Sequence, residues 1–110
     1  MDFEFEKQWR EVTGKISENF DNKIDIQSIL FLIGVQELNL GYLNLSKDQK
    51  VDVLHIGICT IFTPYGYYKK IGNDRDGWPH FETIKEFPDL TEKEQERIIK
   101  EAIIDYFREN

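Results

Sequence analysis

The chain has 110 residues, 40% of them hydrophobic and 32% charged, and a formal net charge of −7. That is enough chain for one globular domain spanning residues 1–110, and too hydrophobic a composition for a chain that stays disordered. The negative charge argues against nucleic acid and anionic membranes as partners, since binding there comes from Lys and Arg displacing counterions; the single cysteine, Cys59, excludes an internal disulfide and the zinc spacings that need paired cysteines.

The opening MDFEFEKQW carries acids where a secretory signal needs bases followed by an apolar run, and no apolar run reaches the length of a membrane span. A cytoplasmic protein is expected. Phe5, Trp9, Val12, Ile16 and Phe20 recur at spacings of four and three, which predicts a first helix over about residues 3–20. Glu6–Arg10 and Glu11–Lys15 are i,i+4 pairs in the favourable order, and Gly14 weakens the helix. Asp21, Asn22 and Lys23 read as a connection, with Asp25 as an N-cap. The stretch Ser28–Leu40 follows, with no polar side chain from Ile29 to Val35; it predicts a helix buried on every face, closed by Gly41 in the left-handed conformation. Periodicity alone leaves a buried strand open for so short a run, but the flanking Asp25 and Gly41 favour a helix.

Ser46 and Gln49 form a capping box that starts a third helix at Lys47, with Val51, Leu54, Ile58 and Ile61 as its apolar stripe and Pro64 at its end. Asn73-Asp74-Arg75-Asp76-Gly77 is strong turn chemistry between Tyr65, Tyr67 and Tyr68 on one side and Trp78-Pro79-His80-Phe81 on the other, which predicts a hairpin. Pro79 keeps its strand at an edge. A second capping box, Thr91 with Glu94, opens a last helix running to about Arg108, with Ile98, Ile99, Ala102, Ile103, Tyr106 and Phe107 on its apolar face. The expected fold is mainly α, four helices with a β-hairpin inserted between the third and the fourth.

Asp52, His55 and Cys59 share neighbouring positions on one helix face, a nominal nucleophilic set. Against it, Cys59 stands near the helix C-terminus, where the dipole disfavours a thiolate, and His55 adjoins the apolar stripe as a partly buried core residue. With His80 added, His55 and Cys59 make three zinc ligands without a fourth. Asp74-x-Asp76-Gly77 resembles part of a calcium loop, but Gly72 and Thr83 fall where acidic ligands are needed, so these acids read as solvated turn residues. No catalytic residue, metal ligand or cofactor is assigned. The aromatic hairpin carries the leading expectation: a small hairpin has two faces and the helices cover one, so Tyr68, Trp78 and His80 are candidates for a partner-binding face. The competing reading is that these aromatics fill the hairpin–helix core.

Ile29–Leu38 (ILFLIGVQEL), His55–Thr60 (HIGICT), Pro64–Tyr68 (PYGYY) and Asp76–Phe81 (DGWPHF) resemble, in this order, a family of short uncharacterised bacterial proteins. The resemblance implies no activity and no catalytic residues; it favours an accessory or interaction role. The functional expectation is therefore a cytoplasmic protein that binds another protein, or a second copy of itself, through the aromatic hairpin 65–81. The alternative is a small enzyme or metal-binding protein using His55, Cys59 and His80.

Overall fold

A computed structural model describes residues 2–17, 25–40 and 44–109. The elements are α1 (Phe3–Ser17), α2 (Ile26–Leu38), α3 (Lys47–Phe62), β1 (Tyr68–Asn73), β2 (Pro79–Thr83) and α4 (Glu92–Glu109). The kind and order of these elements are those expected: four helices, with an antiparallel hairpin between the third and the fourth. They divide into two compact units, Met1–Ile26 with Pro88–Asn110, and Gln27–Phe87.

The first unit holds α1 and α4. Asp2 caps α1, its Oδ1 accepting from the Phe5 amide at 3.0 Å, and the Thr91–Glu94 box opens α4 with bonds of 3.0 and 3.2 Å. The helices run parallel: Asp2 and Phe5 meet Arg97 near the start of α4, Trp9 meets Lys100, and Val12 and Ile16 lie with Ile104 and Phe107. Arg97 joins them at the N-terminal end, bonding Asp2 at 2.8 Å and Glu101 at 2.6 Å while its guanidinium covers the Phe5 ring. Phe5 and Ile16 are buried and Trp9 and Val12 half-buried, as the spacing predicts; Phe20 lies outside the described residues. On α4 the expected apolar face is present and Ile104 joins it. Neither Glu6–Arg10 nor Glu11–Lys15 closes, which accords with the small gain of an exposed pair in water.

In the second unit α2 begins directly after Asp25 and ends at Leu38. The left-handed residue that follows is Asn39, with φ 51° and its amide bonded to the Val35 carbonyl at 3.2 Å. Asn tolerates that conformation almost as glycine does, so the helix stops earlier than the Gly41 stop predicts; Gly41 itself lies outside the described residues. Ser46 and Gln49 cap α3 reciprocally, at 2.9 and 3.2 Å.

On α3, Ile61 is buried and Leu54 and Ile58 are half-buried, as the spacing predicts, but Val51 is 62% exposed and Val53, Ile56, Gly57, Cys59 and Phe62 are buried as well. A single stripe fails because α3 meets α2 and both strands, and a helix with neighbours on several sides buries more than one face. Two glycines set the α2–α3 approach. A Cβ added to Gly34 would overlap the Val53 carbonyl oxygen, and one added to Gly57 would overlap the Leu30 carbonyl oxygen. Each helix therefore sets a glycine against the other's backbone, and the two approach closely at those points.

Candidate functional site

Antiparallel pairing sets Tyr68 opposite Thr83, Lys70 opposite Phe81 and Gly72 opposite His80, leaving Ile71 as a bulge. Alternation along β2 puts His80 and Phe81 on opposite faces, and Phe81 packs with Trp78 against the buried cluster of Leu38, Val53 and Ile56.

The turn is built on Asp74. Its Oδ1 accepts from the amides of Asp76 and Trp78 at 2.9 and 3.0 Å, and its own amide donates to the Trp78 carbonyl at 2.8 Å. Its Oδ2 lies 2.9 Å from His80 Nε2, and a carboxylate can only accept, so that nitrogen carries the proton. His80 first, then the Trp78 and Asp76 amides, hold the Asp74 carboxyl below its ordinary value of 3.8. Gly77, at φ 86°, supplies the left-handed step that closes the turn.

A depressed carboxyl pKa contributes stability that is fully present above the unfolded-chain value and is lost as pH falls through the folded value. The turn should accordingly loosen below about pH 4, the ordinary aspartate range. The Asp76 and Trp78 amide resonances are expected to move together on acidification, before those of α3. Asp74→Asn, which keeps an oxygen acceptor without the charge, should abolish that movement; its persistence would show that another acid governs the turn.

Between the first half of α3 and the hairpin turn lies a groove of about 470 Å³. From α3 come Gln49, Asp52, His55 and Ile56, and from the hairpin Asp74, Asp76, Trp78, His80 and Phe81. Both histidines of the chain therefore reach it, with the carboxylates of Asp52, Asp74 and Asp76. Asp74 and Asp76 are exposed turn acids, as the sequence predicts, but that they share a wall with Asp52 depends on the packing of the hairpin on α3, which no local pattern encodes.

Of the expected partner-binding residues, Trp78 and His80 meet at this groove and Tyr68 does not line it. Trp78 is half-buried, so it is at once core and groove wall, while His80 is exposed. Tyr68 stands edge-on to His55, with ring centroids 6.3 Å apart, and near Phe87. Burial raises its hydroxyl pKa, with the Cys59 sulfur a smaller cause. Phe87, which no sequence pattern singled out, anchors the remaining aromatics: it stacks on Tyr67 at 4.1 Å and meets Phe62 edge-on at 4.9 Å.

His55 is exposed, not a partly buried core residue, because α3 turns that face to the groove. Its Nε2 lies 3.4 Å from Cys59 Sγ. Cys59 itself is fully buried, and desolvation pushes its thiol up to about 11, so it is almost wholly protonated at neutral pH. His80 turns to Asp74 instead. Among the described residues no group of three or more His, Cys, Asp and Glu side chains is placed to hold a metal ion, and no helix is long and apolar enough to cross a membrane.

Comparison with known proteins gives no relative from which a role is carried over: no family model, no curated protein and no solved structure matches the chain.

Proposed function

We propose that this chain is a cytoplasmic interaction or accessory protein that binds a partner protein through the groove between α3 and the hairpin 65–81. The observation that carries this reading is the concave wall itself, where a half-buried indole, Trp78, stands beside polar and charged side chains that remain accessible. Interfaces combine an aromatic anchor in a pocket with a polar rim in this way. The net charge of −7 counts against a nucleic-acid partner. The alternative of a small enzyme or metal-binding protein on His55, Cys59 and His80 has two observations against it: the thiol is buried and protonated, and His80 is engaged by Asp74.

The test is site-specific photo-crosslinking in the native cells. A photoreactive side chain at position 80 is expected to capture a discrete protein, and the same side chain at the exposed Lys93 of α4 is not. Equal capture at both positions, or none at position 80, would rule this reading out.

A further inference from the structure

The groove is one-sided in charge. Asp52, Asp74 and Asp76 line it, and neither Lys nor Arg does. Asp74 is committed to the turn and to His80, but Asp52 and Asp76 have no ion pair or side-chain hydrogen bond among the described residues. Elsewhere, in the first unit, a basic side chain answers some of the acids: Arg97 meets Asp2 and Glu101, and Lys100 meets Glu96. Trp78 adds the aromatic face that attracts cations most strongly, and its burial against Leu38, Val53 and Ile56 holds it in place before any ligand arrives. A volume of about 470 Å³ suits one or two long side chains and their backbone.

Building on the interaction reading above, we infer that the groove takes a Lys- or Arg-bearing segment of the partner protein. The cationic head meets Asp52 and Asp76, and the aliphatic stem lies along Trp78, the arrangement in which a basic side chain buries its methylenes and keeps its charge paired. The same carboxylates repel phosphate-rich surfaces, and the negative charge of the whole chain steers basic segments inward.

The probe is a short acetylated Gly–Arg repeat peptide titrated into the isotopically labelled full chain, with a matching Gly–Glu peptide as control. Resonance shifts are expected at Asp52, His55, Asp76 and the Trp78 indole N–H, weakening as salt rises. The Asp52→Asn/Asp76→Asn variant, isosteric at two exposed positions and checked for an unchanged melting temperature, should bind about tenfold more weakly, as expected for two partly exposed charge pairs. Shifts spread over the acidic surfaces of α1 and α4, equal binding by the double variant, or the same response to Gly–Glu would each overturn the inference. So would a wild-type dimer that the double variant abolishes, because the groove would then hold a second copy through its exposed Lys69 and Lys70. Crosslinking separates the two levels: capture at position 80 that survives in the double variant keeps the interaction reading and ends the basic-segment inference, whereas no capture at position 80 ends both.

Discussion

Gly57→Ala is expected to cost the protein about 3 kcal/mol, with Gly34→Ala of similar size, a magnitude at the upper end of overpacking effects. On an isolated helix the same change would gain about 1 kcal/mol, because alanine is the better helix former. Tertiary contact reverses the sign. The new methyl would occupy the space of a backbone carbonyl on the facing helix, Leu30 for Gly57 and Val53 for Gly34, and at Gly34 it would also come within 2.8 Å of Val53 Cγ1. A carbonyl cannot rotate away as a side-chain end can, so the helices must separate. Ile29, Ile33 and Val53, all fully buried, then lose close packing. Gly14 supplies the control: nothing lies within 4 Å of a Cβ there, so Gly14→Ala should stabilise by up to about 1 kcal/mol. Denaturant unfolding of the three variants checks the pattern. Stabilisation at Gly57 would mean that α2 and α3 do not touch at that carbonyl.

These glycines mark the boundary of what the sequence makes legible. All three interrupt helical patterns and look alike in one dimension; their difference lies in what stands opposite, information held by another segment. Features that close within a few residues were readable for the same reason. Both capping boxes, the Asn73–Gly77 turn and the hairpin are contacts between near neighbours, and the chemistry of Ser46, Thr91 and Gly77 specifies them locally. On α3 the spacing accounts for Leu54, Ile58 and Ile61 but not for the exposed Val51 or the buried Val53 and Ile56, because periodicity reports one buried face and α3 has neighbours on more than one side. At the groove, Trp78 and His80 were identified from their residue types, but the contribution of Asp52 and His55 depends on how far along α3 the hairpin is laid down. The Ile71 bulge shows the same dependence: it shifts the register by one residue and helps decide which side of β2 faces the helix.

Trp78→Ala is expected to lower stability by about 2–3 kcal/mol, less than the 3–5 kcal/mol typical of a fully buried aromatic because this indole is half-buried. An isolated two-stranded hairpin is marginal in water, so β1 and β2 depend on what they pack against. At the turn end that support is Trp78 and Phe81 on the cluster of Leu38, Val53 and Ile56; at the open end it is Tyr67 stacked on Phe87. Removing the indole takes away the first and leaves the second. Amides near the turn, Asp76 and Trp78 among them, should therefore exchange with solvent faster, while the Ile84 amide, bonded to the Tyr67 carbonyl at 2.9 Å, keeps most of its protection. Trp78→Phe should recover part of the loss by refilling the apolar contact. If Trp78→Ala instead left stability unchanged while weakening partner capture, the indole would be a surface anchor and not a support for the hairpin. Because the substitution is expected to disturb the fold and the groove wall together, loss of binding in that variant alone carries little information. Asp52 and Asp76 are the positions at which recognition can be altered with the scaffold intact, since neither side chain makes an ion pair or hydrogen bond among the described residues.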